Sequence, residues 1–359
     1  MTDREMGFLS AVADAYDDDA PRLLYADWLD ERGDPRGEFI RIQCLLASGK
    51  DEAELLRRQS KLLEAHRNKW LADVPMPQVG IGSESGIDGQ FERGFITINH
   101  YYPGHSEYTL TSDQFCNLPL CVLPLNPNFI AMNAEDARKI LSNPRIIIPQ
   151  RISIDWRSVW RQDFIREEGA EAIANAAPNM LNLKHLSLCT QYIGDAGFKS
   201  IMEAKFPIAQ GERHPKLTRL DVSGNQITDK GMGYLADSPF YHLKELNVSN
   251  NLITNAGVKT FVGSKVAKNL TSIIVDGISV SSLIDLTMLP NMETIHTSEN
   301  LCRQLEVYVG DMNRWTLRSG EDDSRTINAA KLRGQINGRG DWGRRLIEGL
   351  RDEAGVGGP

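Results

Sequence analysis

The sequence predicts an α/β chain: an N-terminal helical module, then a solenoid of stacked repeats with parallel strands inside and helices outside. Three observations carry that prediction. The pattern L-x-x-L-x-L-x-x-N-x-I recurs through the middle of the chain. A segment of helical periodicity follows the clearest copies. Helix start and stop signals punctuate the first 73 residues.

The N-terminal signals come in order. Thr2 followed by Glu5 forms a capping box, in which each side chain takes a backbone donor that the helix leaves unmet. Phe8, Leu9, Val12 and Ala15 then recur at helical spacing. Asp18-Asp19-Ala20-Pro21 starts a second helix, which stops at Gly33. Asp34-Pro35 starts a third, with Phe39, Ile42 and Leu46 as its apolar stripe. A fourth, charged helix covers about 51–71, with Leu55, Leu56, Leu62, Leu63 and Trp70 on its inner side.

The string from Asp18 to Ile40, DDAPRLLYADWLDERGDPRGEFI, closely resembles the bacterial repeat-companion domain. The match covers about residues 5–47, and more than twenty consecutive positions fit. The resemblance implies association with a repeat scaffold, and neither a catalytic activity nor a ligand. We read Leu24, Trp28 and Phe39 as core, with Asp27, Asp30, Arg32, Arg36 and Glu38 capping helices and pairing across the turn. The competing reading makes Tyr25, Asp27, Trp28 and Arg36 a docking surface, since aromatic and Arg side chains dominate interfaces.

Residues 74–117 read as a linker and a β-hairpin cap. Val74-Pro-Met-Pro-Gln78 breaks the helix. The Gly-rich stretch Gly80–Gly89 lacks the Lys of a phosphate loop. Phe91–Ile98 alternates as a strand, and repeat-companion proteins often carry a similar Arg-Gly-Phe segment there.

Residues 118–310 hold the repeats. Leu217-x-x-Leu220-x-Val222-x-x-Asn225-x-Ile227 and Leu243-x-x-Leu246-x-Val248-x-x-Asn251-x-Ile253 fit the pattern fully. Leu183-x-x-Leu186-x-Leu188 carries Gln191 in place of Asn, and Leu270-x-x-Ile273-x-Val275 carries Ile278. Leu120-x-x-Leu123-x-Leu125-x-x-Asn128 is an earlier copy, Pro149-x-x-Ile152-x-Ile154 a degenerate one, and Met292-x-x-Ile295 the last. These starts lie 22 to 34 residues apart. With helical halves such as Thr228–Leu235 and Thr254–Phe261, residues 118–300 resemble the ribonuclease-inhibitor-like class of leucine-rich repeat. Each repeat has an apolar face too small to bury alone, so neighbours must stack. Asn128, Asn225 and Asn251 are read as structural, satisfying backbone groups where each strand ends.

The exposed strand positions form columns on a concave face. One runs Val122, Arg151, His185, Arg219, Glu245, Ser272, Thr294; the next Pro124, Ser153, Ser187, Asp221, Asn247, Ile274, His296. Long insertions follow Ile154 and Ile193, and such loops often form binding edges. The candidate partner-binding residues are therefore Arg151, Asp155, Trp156, His185, Arg219, Asp221 and Glu245. The small, polar surface with mixed signs suits a protein or peptide partner. His185, Ser187 and Asp221 also suggest a hydrolytic set, but no oxyanion element or enclosing pocket is signalled, so no catalytic residue is expected.

Composition narrows the function classes. Lys+Arg number 40 and Asp+Glu 48, a net charge of −8, which disfavours general nucleic-acid binding. The five cysteines, odd in number and widely spaced, point to a reducing compartment. Cys116 and Cys121 lack a second pair at metal-site spacing, so neither metal nor cofactor is expected. No signal peptide and no run of apolar residues long enough to span a bilayer is present; a cytoplasmic location without membrane contact is expected. Residues 311–359 read as a C-terminal cap followed by a mobile tail. The expected function is a non-enzymatic protein-interaction scaffold. The alternatives are a regulatory subunit or enzyme with a site at the solenoid edge, and a nucleic-acid binder.

Overall fold

The computed structural model describes residues 3–49, 53–70, 91, 93–97, 109–118, 122–124, 128–130, 133–155, 164–209, 211–309, 316–318 and 324–338. The chain forms two compact units, Met1–Asp163 with Ala176–Lys184, and Phe164–Asn175 with His185–Pro359.

In the first unit the elements run α1 (Asp3–Asp14), α2 (Ala20–Asp30), α3 (Arg36–Ala47), α4 (Ala53–Trp70), β1 (Ile96–Thr97), β2 (Thr109–Leu110), α5 (Ser112–Cys116), β3 (Val122–Leu123), β4 (Asn128–Ile130), α6 (Ala134–Leu141) and β5 (Arg151–Asp155). Local chemistry sets the helix starts. Asp18 Oδ1 accepts from Ala20 N at 2.9 Å, and Asp34 Oδ1 from Arg36 N at 2.9 Å. The Thr2 half of the expected capping box lies outside the described residues. Leu9, Val12, Tyr25, Trp28, Leu29 and Ile40 are buried together. Burial of each large apolar side chain is worth about 1.5–3 kcal/mol. Tyr25 stacks between Trp28 and Phe95 and donates its hydroxyl to Glu5 Oε1 at 3.0 Å. Burial pushes its phenol well above the ordinary tyrosine range.

Three sequence expectations change here. Leu24 is 61% exposed, not core. The apolar stripe of α2 passes through Tyr25, Trp28 and Leu29, and Leu24 falls on the far side. Conversely, Tyr25 and Trp28 are buried, which removes them from any docking surface. The third change concerns residues 74–117. Phe95 does not cap a repeat array; it joins the helical core, together with Leu123 and Ile148. Gly94 makes this possible. Its φ is +88°, its N–H donates to Gln43 Oε1 at 2.6 Å, and a Cβ there would meet Ile40 Cγ1 at 2.3 Å. β1 pairs in parallel with β3, and residues 98–108 of the expected hairpin lie outside the described residues.

The register of the first repeat also shifts. Asn128 lies inside β4 opposite Ser153, with Phe129 opposite Ile154. It is therefore a strand residue and not a strand-end asparagine. Leu123, the anchor of the expected copy, is committed to the helical core. Phe129 takes the interior position and packs edge-on to Phe115, 5.3 Å between ring centres. The strands of this sheet run β2-β4-β5, all parallel. Asn182 and Gln150 tie α1 to the rest of the unit: Asn182 Nδ2 donates to Ser10 O at 3.1 Å and Ile147 O at 2.9 Å, and Gln150 Nε2 donates to Ala13 O.

The second unit alternates helix and strand: α7 (Arg166–Ala176), β6 (His185–Leu188), α8 (Gly194–Met202), β7 (Arg219–Asp221), α9 (Asp229–Asp237), β8 (Glu245–Asn247), α10 (Asn255–Val262), β9 (Ser272–Ile274), α11 (Val280–Thr287), β10 (Thr294–Ser298) and α12 (Glu299–Val309). It ends with β11 (Thr316–Arg318), β12 (Ser324–Asn328) and α13 (Ala329–Gly338). Its sheet order is β11-β12-β10-β9-β8-β7-β6. Strands β6 to β10 pair in parallel, and β12 is antiparallel to both neighbours. Regular structure thus extends to residue 338, through part of the segment expected to be a tail; residues 339–359 lie outside the described residues.

The register places Leu186, Leu220, Leu246, Ile273 and Ile295 in one buried row. Two side-chain ladders hold neighbouring repeats together. At the strand ends, Asn225 Oδ1 accepts from Gln191 N at 3.0 Å and Ile193 N at 3.3 Å, while Nδ2 donates to Leu188 O at 2.6 Å and Ser223 O at 3.0 Å. Asn251 repeats this one step on, accepting from Asn225 N at 2.9 Å and Ile227 N at 3.0 Å. At the helix starts, Asp195 accepts from Thr228 N at 2.9 Å and Oγ1 at 2.5 Å, and Asp229 from Thr254 N at 2.7 Å and Oγ1 at 2.6 Å. Each threonine caps its own helix as well, accepting from the amide two residues on.

In the repeats that start at 183, 217, 243 and 270 the eighth position is left-handed: Thr190 (φ +56°), Gly224 (+69°), Asn250 (+54°) and Gly277 (+68°). Gly and Asn adopt this conformation readily, and a β-branched residue does not.

Candidate functional site

The exposed strand positions of the second unit are set by the same register as its core. His185 lies opposite Arg219, and Arg219 opposite Glu245; Ser187, Asp221, Asn247, Ile274 and His296 form the next column. β7 and β8 each bury the central residue and leave the flanking ones half-exposed.

These polar groups bond to one another. Arg219 Nη2 forms an ion pair with Glu245 Oε2, both side chains more than a third exposed, an arrangement worth about 0–1 kcal/mol. Asp221 Oδ2 accepts from Asn247 Nδ2 at 2.9 Å, and its Oδ1 from Ser223 Oγ at 2.7 Å and Ser223 N at 3.0 Å. Asn247 Oδ1 does the same for Ser249. Ser223 Oγ also contacts Cys189 Sγ at 3.3 Å. The Asp221 carboxylate is thus engaged by Ser223 and Asn247. Further along, Thr294 Oγ1 donates to Ser272 Oγ at 2.9 Å, and His296 Nδ1 bonds Thr326 Oγ1 at 2.8 Å. Burial holds the His296 imidazole below its ordinary pKa.

In the first unit, Arg151 opens β5 and is half-buried, and Asp155 closes it opposite Ile130. Trp156 and the side chain of Asp155 lie outside the described residues. Sequence reasoning placed Asn247 among the exposed positions without assigning it a role, although Asp221, Ser223, Asn247 and Ser249 repeat at one spacing across two repeats. Among the described residues, no group of three or more His, Cys, Asp or Glu side chains could hold a metal ion, and no helix is long and apolar enough to cross a membrane.

A family model described as Leucine Rich repeat matches residues 213–236 and 242–262, the repeats that contain β7–α9 and β8–α10. Repeats of this kind generally mediate protein–protein interaction. No curated protein matches the chain.

Proposed function

We propose that the chain is a non-enzymatic scaffold, a leucine-rich solenoid whose concave strand face binds a protein or peptide partner. One observation carries the reading. The polar strand positions stand in register across consecutive parallel strands, presenting Arg219, Asp221, Glu245 and Asn247 as one ordered pattern. An ordered row of side chains on a rigid sheet suits a partner with matching polar groups better than a small molecule, whose sites are concave and mostly apolar. The mutual pairing of Arg219 and Glu245 sets a condition, because a partner must replace that ion pair with contacts of its own. The helical module of repeat-companion type, and a bacterial cytoplasmic setting, complete the reading. The free thiols of Cys44, Cys116 and Cys189 are consistent with a reducing compartment.

The test is capture of partners on the immobilised full chain, followed by measurement of affinity for three variants. Arg219→Glu and Glu245→Arg each break the internal pair. The double exchange restores it with reversed polarity, so folding is retained while the recognition pattern is inverted. The reading predicts weak binding for all three. Parental affinity in the double exchange would place recognition elsewhere.

A further inference from the structure

A second surface, separate from the concave face, stands out by charge. The turns that lead into β7, β8 and β9 (residues 203–218, 238–244 and 263–271) carry Lys205, Arg213, Lys216, Lys244, Lys265 and Lys268 against two carboxylates, Glu203 and Glu212. The segments that follow the same strands (222–229, 248–255 and 275–280) carry Asp229 and Asp276 and no Lys or Arg. The repeat geometry therefore sorts charge: cations gather where these strands begin and are missing from the segments that follow them.

These turns form one continuous edge. Lys244 N donates to Thr218 O at 2.8 Å, and Thr271 N donates to Lys244 O at 2.9 Å. Lys244 Nζ reaches Asn269 O at 3.2 Å, and Asn291 Nδ2 reaches Lys268 O at 2.8 Å. His214 packs edge-on to Tyr241 with ring centres 4.3 Å apart, and lies 6.0 Å from His242. His242 Nε2 lies 3.5 Å from Glu212 Oε2. Arg213, Lys244, Lys265 and Lys268 are exposed.

We propose that this basic edge binds an acidic polypeptide segment, with carboxylates spread over Arg213, Lys244, Lys265 and Lys268 and with Tyr241 beside them. Charge complementarity selects the sign of the partner. The narrowness of the edge selects a peptide over a nucleic acid. Neighbouring strands are about 4.8 Å apart, so three of them present a short row of cations rather than the extended basic footprint of a nucleic-acid binder. This inference does not rest on the concave-face reading, and the two have separate variants.

The experiment is fluorescence anisotropy with the full chain and four labelled probes: a Glu-Ser repeat peptide, the matching Gln-Ser peptide, a single-stranded oligonucleotide and a DNA duplex. The proposal predicts binding of the Glu-Ser peptide alone at low salt, weakened by added NaCl. The paired variant Lys265→Glu/Lys268→Glu, at two exposed positions, is expected to bind it about tenfold more weakly with an unchanged circular dichroism spectrum. The concave-face variant Arg219→Glu should bind it like the parent. Equal binding of the Gln-Ser peptide, tighter binding of either nucleic acid, or parental affinity in the paired variant each overturns the assignment. So does self-association that the paired variant abolishes, since the occupant is then a second copy of the chain.

Discussion

Asn225→Ala is the sharpest probe of how the repeats hold together. Asn225 is fully buried, and its amide serves four backbone groups: the N–H of Gln191 and Ile193, and the carbonyls of Leu188 and Ser223. Truncation leaves two buried donors unmet, at about 1–3 kcal/mol each. The carbonyls add less, because a carbonyl has a second lone pair. Allowing for partial relaxation, the expected loss is about 2–5 kcal/mol. Asn251 makes five such bonds, accepting two and donating to Val222 O, Val248 O and Ser249 O. It is only half-buried, so water can replace its amide, and Asn251→Ala should cost about 1–2 kcal/mol. A count of bonds ranks Asn251 as the greater loss, whereas burial ranks Asn225. Urea denaturation followed by circular dichroism gives the two stabilities, and amide exchange at Gln191 and Ile193 localises the damage. A loss at Asn225 smaller than that at Asn251, or unchanged exchange at those amides, would show that the ladder does not work as described.

Thr190→Gly should raise stability by about 0.5–1 kcal/mol in thermal denaturation, since it relieves a β-branched residue of a left-handed backbone at φ +56°; a lower melting temperature would show that the Thr190 contacts outweigh the strain. Gly224→Ala should do the opposite, because its Cβ would lie 2.7 Å from Thr190 Oγ1 at φ +69°. Trp28→Ala should cost about 3–5 kcal/mol. Hydrogen exchange should then rise at 93–97, 122–124 and 144–148 as well as in α1–α3, because Phe95, Leu123 and Ile148 share the Trp28 core; a loss confined to the helices would separate the two. His296 titrates below its ordinary value of 6.5 through burial. The unfolded chain therefore takes up its proton first, so the contribution of the neutral imidazole is complete above about pH 6.5 and fades as pH falls from there through the folded-state value. Melting temperatures of the parent and His296→Gln, compared between pH 7 and 5, should converge as the pH drops, and a constant gap would contradict this.

The parts of the fold that were legible in the sequence are those where one local pattern had a single use. Leu186, Leu220 and Leu246 could only be interior to a stack, and their registers follow from the fourth position that each holds in its repeat. The Arg219–Glu245 pair was legible for the same reason, as equivalent positions 26 residues apart fall on adjacent strands. The failures occur where two cores compete for one segment. Leu120-x-x-Leu123-x-Leu125 satisfies the repeat pattern, but Leu123 is buried with Tyr25 and Phe95, so the strand that pairs with β5 begins at Asn128 instead. Nothing local marks that choice. Leu24 failed differently: an i,i+4 pair with Trp28 is compatible with two helix faces, and only the position of α1 decides between them. The carboxylate–threonine ladder was visible as the recurring Thr-Asp and Thr-Asn pairs at 228–229 and 254–255, without any sign that the acceptor belongs to the preceding repeat.

That ladder has a consequence for how such a chain can change length. The starts of α9 and α10 each depend on a carboxylate one repeat upstream, Asp195 for Thr228 and Asp229 for Thr254. Asn255 receives Ser279 N in turn, at 2.8 Å. The repeats that carry α9 and α10 are therefore each both a lender and a borrower. A duplication that copies a whole repeat, acceptor and threonine together, joins without leaving a group unmet at either seam. A deletion that removes part of one strands a carboxylate on one side and a bare helix start on the other. Growth of the array by whole repeats is thus the route the chemistry leaves open, and variation in length is confined to the segments between helix end and strand start, where no rung of the ladder is crossed.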